Sequence, residues 1–303
     1  MGGYISKPRR NSNLKLKHPL NRFPSIKYSS RVSSRTPSYT PSVSKLPEIE
    51  EPHDFLTYDP IDTLQIAHYM IRAFWGKNYF APVADVLKKE GSCVLDINDE
   101  FPGAYFTGID TLKMYPTEIK PRNVKFICGN WLEGLDLPDD YFDYVFINFL
   151  NFGLSKDVWE NKIIPEVTRV LKPGGYIEIT PCDLKWYNEG PIAKYWMSTI
   201  LKELKAKNVE PAFGHQIIEM IEQTGKFSQP QSEEKDHPIG SWGGDIGKTS
   251  LSCLKYYIKA KTLQNIITYD NDNTFETMFK DLFDEIEEQN MYSKSIRFWA
   301  MKI

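Results

Sequence analysis

From residue 61 onward the apolar positions follow two rhythms, one of about 3.6 residues and one of strand-length runs. "IDTLQIAHYMIRAFW" (61–75) sets Ile61, Leu64, Ile66, Tyr69, Met70, Ala73 and Phe74 at helical spacing, which predicts an amphipathic helix. "APVADVLKKEG" (81–91) predicts a second, short helix, with Pro82 at its start and Gly91 past its end. Compact apolar runs of strand length follow: "CVLDI" (93–97), "AYFTGID" (104–110), "NVKFICGN" (123–130) and "FDYVFINF" (142–149). A helix over 157–171 is striped by Trp159, Ile163, Val167 and Val170 and ended by "KPGG"; the run "YIEIT" (176–180) is a fifth strand.

Near-continuous apolar strands with longer connections indicate a parallel sheet buried on both faces. The last third predicts helices over 190–207, 215–225, 250–266 and 273–290 and a closing strand over 295–303. The fold class is therefore α/β. A helical cap spans 51–91, a sheet core 92–182, and helical insertions with a final strand 183–303.

Residues 1–50 break both rhythms. They are rich in Ser, Pro, Arg and Lys and poor in large apolar side chains. Such a segment cannot offset its ordering entropy and predicts a disordered basic arm. Residues 1–47 hold 10 of the 37 Lys and Arg and no Asp or Glu, leaving 27 basic against 40 acidic residues beyond, a net of -13. A body so acidic is a poor partner for nucleic acid, whose phosphates require a positive surface. The opening "MGGYISKPRR" fits the N-myristoylation pattern at Gly2, with Lys7, Arg9 and Arg10 as the basic second signal toward an anionic membrane surface. A plain tail and a transit peptide are the other readings; Pro8, Pro19 and Pro24 break the amphipathic helix that a transit peptide needs.

No apolar run is long enough to span a bilayer. Cys93, Cys128, Cys182 and Cys253 form no CxxC pair, so buried, reduced thiols in a cytoplasmic protein are expected, with no metal site. "WGGDIGKTS" (242–250) imitates a phosphate loop but has Trp242 at the first glycine position and no predicted strand before it, so it reads as a flexible turn.

In open parallel sheets, ligands lie at the carboxyl ends of strands. Three such ends carry polar residues. Asp110 is placed to accept hydrogen bonds from two ribose hydroxyls, since both carboxylate oxygens accept. Asn130 suits an adenine edge, Trp131 an adenine face, and Asn148 the polar end of a small ligand.

"VLDI … YFTGID … VKFICGNWLEGLDLPDDYFDYVF … IIPEVTRVLKPGGYIEI" resembles the class I S-adenosylmethionine-dependent methyltransferases, and more narrowly the fungal methyltransferase-domain proteins akin to regulators of secondary metabolism. The likeness covers roughly 53–303 and implies a Rossmann-like methyltransferase sheet, S-adenosylmethionine as cofactor and an unidentified methyl acceptor. It assigns ribose binding to the Asp110 position and adds Asp96, closing the first strand, to the cofactor-binding set. The position of Asn130 is usually an acid. The helix bearing His68, Tyr69 and Trp75 resembles the family's cap, where His68 reads more readily as a packed residue than as a base. Methyl transfer from a sulfonium is a direct displacement that alignment largely drives; the resemblance names no catalytic residue.

One departure matters. The family's first strand leads into a G-x-G-x-G loop and a helix. Here "INDEFPG" stands at that place, and no glycine lies between Ser92 and Pro102. Six residues (98–103) separate the predicted strands, whereas a parallel crossover with its helix takes about 10–12 or more. The first βαβ unit is therefore truncated. A hairpin, an extended connection or a lost first strand are the outcomes open to it. Each weakens cofactor binding. The sequence thus supports two functions: a methyltransferase, or an inactive methyltransferase-like scaffold held near membranes by its arm.

Overall fold

The computed structural model describes residues 60–95, 101–110, 120–148, 154–181, 183–206, 214–259 and 272–303. Gly2, the rest of the arm and Asp96 lie outside the described residues.

The strands are β1 (Cys93–Leu95), β2 (Tyr105–Asp110), β3 (Val124–Cys128), β4 (Phe142–Asn148), β5 (Leu171–Thr180), β6 (Trp186–Tyr187), β7 (Gln231–Pro238) and β8 (Tyr292–Met301). They form a single mixed sheet in the order β3-β2-β1-β4-β5-β8. The first five are parallel. β8 runs antiparallel to β5, β6 and β7. Since β8 residues 292, 293, 298 and 299 pair on both edges, β6 continues the edge used by β5 while β7 takes the other. This is the Rossmann-like α/β sheet that the apolar runs predict.

Period-two alternation divides the side chains between two faces. On one face Val145, Ile147, Ile177, Ile179 and Phe298 meet the helical run 156–170 and α6 (Gly214–Gln223). That run consists of α3 (Lys156–Val158), a π-helical turn (Trp159–Ile163) and α4 (Ile164–Val170). The predicted stripe Trp159, Ile163, Val167 and Val170 is at most 1% exposed.

The other face carries Val94, Phe106, Val124, Tyr144, Phe146, Tyr176 and Trp299, covered by α2 (Ala84–Lys88) and the chain around Tyr79–Val83. α1 (Pro60–Trp75) packs Met70, Ile71 and Trp75 beside Phe80 and Ile246. Tyr69, expected on its apolar face, is 51% exposed.

α5 (Pro191–Ala206), α7 (Gly244–Lys259) and α8 (Asp272–Gln289) share a second core with Trp196, Leu251, Phe279 and Leu282. Glu285 on α8 accepts from the amides of Ile192 (3.0 Å) and Ala193 (2.7 Å), filling the bare start of α5.

Two expectations need correction. β1 and β2 are parallel neighbours, with Cys93 opposite Tyr105, so neither a hairpin nor a lost strand occurs. β1 pairs over only three residues, and residues 96–104 lie between the strands. Nine residues reach about 30 Å, ample to return along a strand about 10 Å long without a helix. The described part, 101–104, contains none.

"KPGG" does not merely end a helix: β5 begins at Leu171 and runs through it, with a register shift opposite Phe142–Tyr144. Gly174 takes φ +77 there, a conformation that disfavours side chains.

Candidate functional site

The carboxyl ends of β2, β3, β4 and β5 gather most of the residues singled out in the sequence. Asp110 ends β2, is exposed, and stands in register with Cys128 at the end of β3; that thiol is exposed rather than buried as expected, because it closes an edge strand, while Cys253 is buried. The amide of Gly129 donates to the Asp110 carbonyl (3.0 Å), fixing the turn out of β3 beside the carboxylate.

Asn130 and Trp131 are committed locally. Asn130 caps a 3-10 turn, Trp131–Glu133: its Oδ1 accepts from the Leu132 amide (3.0 Å) and its Nδ2 donates to Glu133 Oε1 (3.0 Å). Gly134, at φ +82, closes the turn. Trp131 is 8% exposed and packs into the core with Leu95 and Leu135. A base lying on its face would have to replace part of that packing, and one pairing with Asn130 would have to break a cap worth about 1 kcal/mol.

Asn148 is half-buried at the end of β4, in register with Thr180 at the end of β5. Its Oδ1 is fully covered and has no hydrogen-bond partner.

Behind these strand ends lies a charged pair. Glu178 on β5 is fully buried, and its Oε2 accepts from the amides of Phe80 (2.9 Å) and Ala81 (2.8 Å) and from the Tyr144 hydroxyl (3.0 Å). Its Oε1 lies 3.4 Å from Nε of Arg297, a Coulombic contact without a hydrogen bond. Burial pushes the Glu178 carboxyl above its ordinary range, and Arg297, the two amides and Tyr144 pull it back.

Arg297 is 2% exposed, donates from Nε to Thr180 Oγ1 (3.1 Å), and sits 4.9–5.4 Å from the ring centres of Phe80, Trp75 and Phe146. The pair thereby ties the end of α1 and the chain after it to β4, β5 and β8. His68 is exposed on α1. The cap is thus fastened through Trp75 and Phe80, not through His68.

A buried histidine lies at the junction of α1, α7 and β7. His237 Nε2 is 2.6 Å from Ser250 Oγ, and its ring packs on Phe74 with centroids 4.5 Å apart. Burial lowers its pKa to about 4, so it is neutral at neutral pH.

The runs most specific to the resemblance, "LPDDYFDYVF" (137–146) and "EVTRVLKPGGYIEI" (166–179), are tied together by structural contacts. Arg169 donates to Leu137 O (2.7 Å), Asp139 Oδ1 (2.6 Å), Leu135 O (3.1 Å) and Glu166 Oε2 (2.9 Å), while Glu166 accepts from the Leu135 amide (2.8 Å). These bonds lower the Glu166 pKa, the Arg169 guanidinium foremost, and fasten the loop ahead of β4 to α4.

The imitation phosphate loop is also settled. A strand, β7, does precede it, contrary to expectation. Yet Glu287 accepts from the Ser241 amide (2.8 and 3.0 Å) and hydroxyl (2.7 Å), so a carboxylate occupies the place of an anion. A Cβ on Gly247 would lie 2.1 Å from the Gly240 carbonyl oxygen, which is why that glycine is bare.

Among the described residues no group of three His, Cys, Asp or Glu could hold a metal ion, and no helix is long and apolar enough to cross a membrane.

Residues 77–175 match the family model described as "Methyltransferase domain". No curated protein matches the chain. Among solved structures it is similar to the YcgJ protein of Bacillus subtilis, at 21% identity over 66% of this chain and 84% of that one, TM-score 0.39. It is also similar to Haemonchus contortus phosphoethanolamine N-methyltransferase 2, solved with phosphomonomethylethanolamine and S-adenosylhomocysteine, at 17% identity over 82% of this chain and 61% of that one, TM-score 0.42. A third is a SAM-dependent methyltransferase of Archaeoglobus fulgidus, at 15% identity over 78% of this chain and 94% of that one, TM-score 0.43. The matched stretch, 77–175, runs from the chain beneath the cap through the glycine turn of β5.

Proposed function

We propose that the protein is an S-adenosylmethionine-dependent methyltransferase that binds its cofactor at the carboxyl ends of β1, β2 and β4, with reduced affinity. The observation that carries this reading is Asp110, an exposed carboxylate at the end of β2, next to the strand at which the sheet order reverses. The residues present fit such a cofactor in part. Asp110 suits the ribose hydroxyls. Asn130 and Trp131 are engaged elsewhere, and β1 leads into no glycine turn.

When bound, the cofactor supplies an electrophilic methyl group on a sulfonium. The chain's own residues orient the reactants at the strand ends beside the clamped cap. No side chain is required to take a proton in the displacement itself.

A second reading, an inactive methyltransferase-like scaffold held at membranes through Gly2, draws on the stretch from Cys93 to Phe101, which has no glycine to let backbone approach a ligand. Thiol alkylation of the full chain separates the two. Cys128, exposed and in register with Asp110, should be protected by S-adenosylmethionine, while half-buried Cys93 keeps its rate. Equal labelling of Cys128 with and without the cofactor supports the scaffold.

A further inference from the structure

An unspent acceptor and an unspent donor stand side by side at the ends of β4 and β5. We propose that the methyl acceptor is a small molecule carrying an O–H or N–H nucleophile beside a second oxygen, held between Asn148 and Thr180. The inference rests on the methyltransferase reading above.

Asn148 Oδ1 is a covered acceptor with no donor. Thr180 is fully buried, and its Oγ1 accepts from Arg297 Nε (3.1 Å), so its own O–H is left to donate and has no acceptor among the described residues. The two residues are register partners on adjacent parallel strands and therefore point to the same side of the sheet. An unspent acceptor thus neighbours an unspent donor, each costing about 1–3 kcal/mol while unpaired.

One ligand satisfies both only if it donates and accepts at neighbouring atoms. A quaternary ammonium has no donor for Asn148, and a simple ether none either. Arg297 stands behind Thr180 and polarises its hydroxyl. Glu178 balances that charge, so the place does not call for a strongly charged ligand. Phe146, two residues before Asn148 on the same face, and Phe80 supply apolar walls suited to a planar ring.

In the transfer, the lone pair of the acceptor oxygen or nitrogen forms a bond to the methyl carbon of a sulfonium donor. The carbon–sulfur pair remains on sulfur, which becomes a neutral thioether, and the acceptor's proton passes to solvent. Asn148 orients the O–H or N–H so that the lone pair faces the methyl carbon, and Thr180 anchors the second oxygen.

The test uses the full chain, with catechol as probe and its dimethyl ether as control, read by ligand-observed NMR. The ether keeps the ring and loses both donors. Catechol is expected to bind about tenfold more tightly than the ether, the effect of one hydrogen bond. Asn148→Leu should erase that difference, whereas Thr180→Val should weaken catechol and ether alike, because both keep oxygens that accept from the hydroxyl, and Thr180→Ser should restore both. Equal binding of catechol and ether, no binding of either, an Asn148→Leu variant that keeps the difference, or a Thr180→Val variant that weakens neither ligand overturns the proposal. S-adenosylmethionine binding is measured on the same samples. Its absence alongside intact catechol selectivity refutes the cofactor reading and leaves the subsite; the reverse result refutes the subsite alone.

Discussion

Replacing Arg297 with methionine should destabilise the protein by an amount that depends on pH. Glu178 and Arg297 are 0% and 2% exposed, and their nearest charged atoms are 3.4 Å apart. Methionine fills similar volume but leaves a buried carboxylate without its cation. Breaking one side of a buried pair costs about 3–5 kcal/mol. The Glu178 carboxyl already titrates above its ordinary range because of burial, and losing Arg297 moves it further up. The folded state then holds a proton that the unfolded chain releases near pH 4.3. Stability is fully present below that pH and falls as pH rises toward the folded value, by at most about 1.4 kcal/mol per unit. The Arg297→Met penalty should therefore be largest at pH 8 and clearly smaller at pH 5. Denaturant melts of wild type and variant at both pH values measure it. A loss under about 1 kcal/mol, or an equal loss at both pH values, would refute the reasoning. The double variant Glu178→Gln with Arg297→Met should recover most of the loss, because it removes both charges.

Asp110→Ala should weaken S-adenosylmethionine binding by about 10- to 100-fold, the loss of hydrogen bonds to a charged acceptor; calorimetry would reveal an unchanged affinity. His237 is held neutral with a pKa of about 4, below its unfolded value, so its contribution to stability is present above pH 6.5 and is lost as pH falls toward 4. His237→Phe should flatten the stability profile between pH 4 and 6.5, and an unaltered slope in acid melts would exclude that origin. Mass spectrometry of the N-terminus in a myristoylating host should find the acyl group on Gly2; a free or acetylated terminus removes the membrane arm from consideration.

Among the described residues the apolar rhythm alone located β1 to β5, β8 and the long helices, with α7 starting six residues before its predicted 250, because buried parallel strands and packed helices must advertise their burial. β7 escaped for the converse reason. "QSEEKDHP" exposes six of its eight residues and lies at the edge, where Glu233, Glu234, Lys235 and Asp236 pair with only one neighbour strand and guard the other side. Nothing apolar marks such a strand.

Asn130 reads in sequence as a ligand contact, yet an Asn ahead of "WLEG" is also an N-cap signature, and the cap is what the structure contains. The Glu178–Arg297 pair was readable as two charges, each set inside an apolar strand run, "YIEIT" and "SIRFWAM". Only tertiary contact could join residues so far apart. The short β1–β2 connection was visible, but its parallel outcome depends on how few residues of β1 pair, which composition does not reveal.

The central claim is that a nucleotide-binding sheet without its glycine turn still binds S-adenosylmethionine. Losing two or three backbone hydrogen bonds of about 1 kcal/mol each predicts an affinity about 100-fold weaker than micromolar. Calorimetric titration of the full chain should give a dissociation constant of about 0.1 mM with one site. Absence of binding at millimolar cofactor would contradict the account and leave the fold as a scaffold.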